Sequence, residues 1–167
     1  YNRGDVQDKG EIIPRAFLKI LSGEDPKRFT KGSGRLELAE AISDPQNPLT
    51  ARVAVNRIWQ LLFGRGLVYT TSNFGHLGAR PTHPELLDHL AISFIEGGWS
   101  VKSLMKKILL SSTYRQSSLV SSDKRMKDED NKFYSYHKRR RLSAEMIRDS
   151  MLAVSGQLER GDSGKES

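Results

Sequence analysis

The sequence predicts an all-α fold, a compact helical domain of about five helices behind an extended N-terminal lead-in. Three observations carry this. Apolar residues recur at helical spacing in separate stretches between residues 35 and 158, those stretches are punctuated by Pro and Gly, and no segment alternates as a half-buried strand does. At 167 residues, one hydrophobic core is expected.

Residues 1–34 form the lead-in, where Gly4, Gly10, Pro14, Gly23, Pro26, Gly32 and Gly34 mix with charges and only Ile12-Ile13 and Ala16 to Leu21 offer apolar anchors. Arg3-Gly4-Asp5 reads as a turn. The helical core is expected over 35–118. Its first helix runs from about Ser33 or Gly34 to Ile42, with Leu36, Ala39 and Ile42 on one stripe, and Asp44-Pro45 stops it. Asn47 then suits an N-cap and Pro48 the first helical position. Leu49, Val53, Ile58, Trp59 and Leu62 supply a buried face to about Phe63, and Gly64 and Gly66 end the helix.

Residues 67–81 are a loop expected to plug Leu67, Val68, Tyr69 and Phe74 into the core. Thr82-His-Pro-Glu85 matches a capping box, in which the Thr82 hydroxyl accepts from the Glu85 N–H and the Glu85 carboxylate reaches back. The helix it opens buries Leu86, Leu87, Leu90, Phe94 and Ile95 and ends at Gly97-Gly98. Ser100 caps the next helix, whose stripe is Val101, Leu104, Met105, Ile108 and Leu109. Periodicity is lost after residue 115, so 119–141 is expected to be a basic linker or excursion. A late core helix is expected within 142–158, with Ile147, Met151 and Val154 facing inward, and 159–167 is a tail.

The 27 Lys+Arg against 20 Asp+Glu give a net charge of +7, which suits phosphate-rich partners, anionic lipid heads or acidic polysaccharide, and suits equally a solvated basic surface. With no Cys, neither a disulfide, a Cys-based zinc site nor Cys-x-x-Cys-His haem attachment lies in this chain. No apolar run reaches the length of a membrane span, and no signal-peptide pattern is present.

Four groups of residues invite a chemical reading. His76, His83 and His89, with Glu85 and Asp88, have metal-ligating side chains, but their spacing is not that of a zinc helix, so no metal site is assigned. Arg52, Asn56 and Arg57 interrupt an apolar helix beside Trp59. Either they pair internally, an arginine with Glu85, Asp88 or Asp149 and Asn56 with the 67–81 backbone, or with His76 and His83 they line a cleft that reads an anion or sugar. Ser117 and Ser118, after Tyr114-Arg-Gln, lack any motif that would activate a serine nucleophile. Arg139, Arg140 and Arg141 follow Tyr134 and Tyr136, a candidate anion-binding group, although no nucleic-acid-binding fingerprint accompanies them.

Several separated strings occur in an order that resembles a known family. These are Arg35-Leu-Glu-Leu-Ala39, Asn47-Pro-Leu-Thr-Ala-Arg-Val53 with Asn56-Arg-Ile-Trp59, Phe63-Gly-Arg-Gly66, Pro81-Thr-His-Pro-Glu85, Ser111-Ser-Thr-Tyr-Arg-Gln-Ser-Ser118, and Arg141-Leu-Ser-Ala-Glu-Met-Ile-Arg-Asp149 with Ala153-Val-Ser-Gly156. Together they resemble the planctomycete-enriched domain of unknown function that closes large exported proteins, often with a cytochrome-c-like domain upstream. His89 departs from the pattern, standing where members usually carry an aromatic residue, often Trp.

The resemblance implies an extracytoplasmic accessory domain that docks a companion domain of the same parent protein. It also implies that the domain continues beyond this chain and that any haem belongs elsewhere in the parent. The competing expectations are a catalytic or ligand-binding domain acting on polysaccharide or another anionic substrate, and a basic nucleic-acid-binding module.

Overall fold

The computed structural model describes residues 2–23 and 25–159. The fold is all-α. Its helices are α1 (Lys19–Ser22), α2 (Arg35–Ser43), α3 (Thr50–Phe63), α4 (Pro84–Glu96), α5 (Val101–Leu109), α6 (Ser112–Arg115), α7 (Ser122–Lys127) and α8 (Ala144–Val154). Among the described residues there is no strand, only an isolated antiparallel bridge between Ala16 and Arg28. The expected tail lies, beyond Glu159, outside the described residues.

The core forms where α3 packs on α4, with α5 against α4 and α6 against α5. Ala51, Val55, Trp59, Leu62 and Phe63 come from α3, and Leu87, Leu90, Ala91 and Phe94 from α4. Leu104 and Ile108 of α5 complete the helical part. These positions follow the i, i+3, i+4 pattern that puts one helix face inward. Gly64 ends α3 in the left-handed conformation, φ 81°, and its N–H returns to the Gln60 carbonyl. Ser100 caps α5 as expected, accepting from the Ser103 N–H.

The connection from α2 to α3 differs from the sequence reading. Asn47 is not an N-cap, because α3 begins after Leu49. Its Oδ1 accepts from the Leu49 N–H, while its amide nitrogen donates to the Ala41 and Ile42 carbonyls. Thr50 also donates to Ile42. The side chains therefore satisfy the free carbonyls at the end of α2 and fix its angle to α3.

The apolar residues Leu36, Leu38 and Ile42 of α2 are exposed, so its expected inward stripe is not formed. Polar ties hold α2 instead. The Glu37 carboxylate accepts the Thr30 and Lys31 N–H groups at 3.1 and 2.9 Å. Those bonds, with that of Lys31 first among the causes, hold the carboxyl below its ordinary value.

Two findings concern the later chain. Of the two expectations for 119–141, a linker or an excursion, the segment takes the form of a folded excursion with α7 and a turn: Asp128 accepts from the Lys132 and Phe133 N–H groups and the Ser135 hydroxyl, and Asn131 donates to the Tyr136 carbonyl. This irregular segment buries Tyr134 and Tyr136. Side-chain bonds to backbone replace helical periodicity there, which is why the pattern reads as a linker. Conversely, the expected late core helix forms as α8 but contributes no buried residue.

Candidate functional site

Asn56 is the most enclosed polar side chain of the core, with no exposed surface. Its amide nitrogen donates to the Val68 carbonyl at 3.0 Å and its oxygen accepts from the Val68 N–H at 2.8 Å. This is the bond to loop backbone that the internal reading expected. It draws Leu67 and Val68 fully into the core, and Phe74 partly, while Tyr69 stays outside. Gly66 is required by the same contact: a Cβ there would lie 2.8 Å from both amide atoms of Asn56.

Arg52 follows the internal reading too. Its Nε donates to Asp88 Oδ1 at 2.6 Å, and a second N–H reaches the Pro48 carbonyl. The pair is half exposed and ties α3 to α4 across solvent. Arg57 is exposed on the opposite side of the helix from the buried stripe. His76 is exposed in the loop. His83 bonds Thr82 at 3.0 Å and tilts against the Tyr134 ring, 5.7 Å between centroids. No hydrogen bond, ion pair or ring contact joins any two of Arg52, Asn56, Arg57, His76 and His83.

The capping box is corrected. The residue before a proline is driven out of helical backbone, so Pro84 makes His83, at φ −135°, the N-cap and starts α4 there. The Thr82 N–H and hydroxyl both donate to the Leu67 carbonyl, at 2.9 and 3.3 Å. Thr82 thus fastens the loop rather than the helix. Glu85 lies in the first turn without a cap bond, where its charge suits the helix dipole. Among the described residues no group of three His, Cys, Asp or Glu is placed to hold a metal ion.

Arg139, Arg140 and Arg141 do not form one patch. Arg139 donates to the Ser118 hydroxyl at 3.3 Å, Arg140 to the Leu61 carbonyl at 2.9 Å, and Arg141 points outward. Arg140 does line a cleft of about 430 Å³ between the end of α3 and the turn after α7, with Arg65, Tyr69, Asp130, Asn131 and Lys138. Arg65 lies 4.7 Å over the Tyr69 ring, and its carbonyl accepts from the Tyr134 hydroxyl at 3.3 Å. Asp130 is 3.2 Å from Lys132 and 3.9 Å from Arg65. Two buried polar atoms here, Arg65 Nε and Asn131 Oδ1, have no hydrogen-bond partner. Burial pushes the Tyr134 phenol above its ordinary range.

Sequence reasoning found Arg140 and missed the rest of this cleft. The available signal was Gly64-Arg-Gly66, a charge held between two glycines at a helix end, but apart from Tyr69 its partners lie more than sixty residues away.

The profile of the family described as PSD1: Protein of unknown function (DUF1553) matches residues 34–167. The match spans most of the chain, and the chain belongs to this family. Neither the curated proteins nor the solved structures provide a match.

Proposed function

We propose that this member of the DUF1553 family is an accessory interaction domain of an exported, cytochrome-associated multidomain protein of planctomycete type, which docks a companion domain of the same parent. The observation that carries the reading is α8. Ile147, Met151 and Val154 repeat at helical spacing, yet they are 43%, 68% and 91% exposed. An amphipathic helix whose apolar face is largely uncovered gains little from forming alone. A companion domain seated on that face supplies the missing burial. The exposed Leu36 and Ile42 of α2 add to the uncovered apolar surface.

The placement of the signature residues supports this reading over an enzyme. Asn56 spends its amide on Val68 and Arg52 its guanidinium on Asp88, so both serve the fold. The exported and cytochrome-associated parts rest on the sequence resemblance. They predict a leader and an upstream Cys-x-x-Cys-His in the parent gene product, and a cytoplasmic single-domain product would remove them.

The docking test is the double variant Ile147→Glu and Met151→Glu, made in the isolated chain and in the parent. The isolated chain should melt close to wild type, because both residues are exposed in it. In the parent, limited proteolysis should release the domain faster. An equal loss of stability in the isolated chain would place the stripe in this domain's own core and overturn the proposal.

A further inference from the structure

The cleft at the end of α3 has the composition of a small-molecule site, independently of the α8 face. Arg65, Lys138 and Arg140 surround the single carboxylate of Asp130, which lies closer to Lys132 than to Arg65. Among the described residues Lys138 is in no ion pair, and Arg140 uses one N–H on the Leu61 carbonyl. Positive charge therefore exceeds what the protein neutralises there. The cleft volume of about 430 Å³ falls in the range of small-molecule pockets.

Arg65 is held in place at the wall of the cleft. Its guanidinium is stacked on Tyr69, its side chain is only 23% exposed, and its Nε lacks an acceptor. A partly desolvated guanidinium is costly, and a planar carboxylate in the cleft relieves that cost with two parallel bonds to its terminal N–H groups. Preorganisation lowers the entropy that binding must overcome. Gly64 contributes by being small: a Cβ there would sit 3.2 Å from Arg140 Cδ, so glycine lets the Arg140 side chain cross the helix end.

The remaining groups narrow the ligand. Asp130 is 60% exposed and offers an acceptor for hydroxyl groups, while Tyr69, 65% exposed, offers an aromatic surface to a ring. A simple anion uses neither. The cleft also sits at the C-terminal end of α3, whose dipole is negative and opposes a dianion more than a monoanion. We infer that the cleft binds a sugar acid, with the carboxylate on Arg65 and the neighbouring cations, hydroxyls on Asp130, and the ring against Tyr69.

The test is an NMR titration of the isotopically labelled 167-residue chain with galacturonate, neutral galactose and inorganic phosphate. Galacturonate should give saturable shifts at Arg65, Tyr69 and the 130–140 backbone, with galactose giving none and phosphate binding more weakly. Arg65→Lys should weaken galacturonate about tenfold or more, since the ammonium loses the planar fork. Lys138→Ala, at an exposed site, should weaken it while leaving the melting curve unchanged, which separates binding from folding. No saturable galacturonate shift, equal binding of galactose, tighter binding of phosphate, or no weakening in either variant would each overturn the assignment.

Discussion

Asn56 closes both hydrogen bonds of its amide on one residue, donating to the Val68 carbonyl and accepting from the Val68 N–H, with no part of Asn56 exposed. A helix side chain thereby acts as a strand neighbour would, satisfying one loop residue completely. This lets Leu67 and Val68 enter the core without leaving backbone groups unpaired.

Asn56→Leu should therefore destabilise the domain by about 2–3 kcal/mol, because a similar volume is kept while two buried backbone groups lose their partners. Asn56→Asp should also destabilise, since a carboxylate cannot donate to the Val68 carbonyl. Denaturant melts give the values. A change near zero for Asn56→Leu would mean that the loop finds other partners.

Gly66→Ala places a methyl group 2.8 Å from the Asn56 amide and 2.7 Å from the Val68 carbonyl, and should cost about 1–3 kcal/mol. Part of the cost should vanish in an Asn56→Ala background, where the amide no longer obstructs. A double-mutant cycle measures this coupling, and strict additivity would show that the two residues do not compete for the same space.

Two hydroxyls that look alike in sequence should behave differently. Ser100→Ala removes an observed cap bond at α5 and should cost about 1 kcal/mol. Thr82→Ala leaves the Thr82 N–H on the Leu67 carbonyl and removes only a 3.3 Å bond, so its cost should be about 0.5 kcal/mol or less. Thermal melts of the two variants side by side decide the order.

Glu37 should titrate below its ordinary value of 4.5, since its charged form accepts the Lys31 and Thr30 N–H groups. The depressed pKa fixes the sign. Its stabilising contribution is present above the ordinary value and is lost as pH falls through the folded value. Carboxyl NMR of Glu37 should show this, and the Thr30 and Lys31 amide shifts should move with the same midpoint. An ordinary titration would detach the lead-in from α2.

Arg57→Ala should leave stability within about 0.5 kcal/mol of wild type, because the side chain is exposed without an ion-pair partner. Calorimetry of the variant is sufficient. A large loss would reveal a structural bond that its exposure does not suggest.

The sequence by itself determined the all-α class, the α4 core stripe and the Ser100 cap, whereas of the face expected for α3 only Trp59 and Leu62 are buried, with Ala51 and Val55 in place of Leu49 and Val53. The first three depend on spacing along one helix, which local chemistry dictates. Only the tertiary structure decided what Thr82 does: the start of α4 follows locally from the proline's constraint on His83, but the Thr82 N–H and hydroxyl turn to the Leu67 carbonyl. It also decided that 119–141 is a folded excursion whose Tyr134 and Tyr136 are buried. That segment is organised by bonds from Asp128 and Asn131 to backbone, which leave no period to read. The stripe of α8 was legible, but its covering was not, because periodicity names an apolar face without saying what meets it. The Arg65 cleft was least legible of all: its walls come from distant parts of the chain, and proximity between such parts is created only by packing.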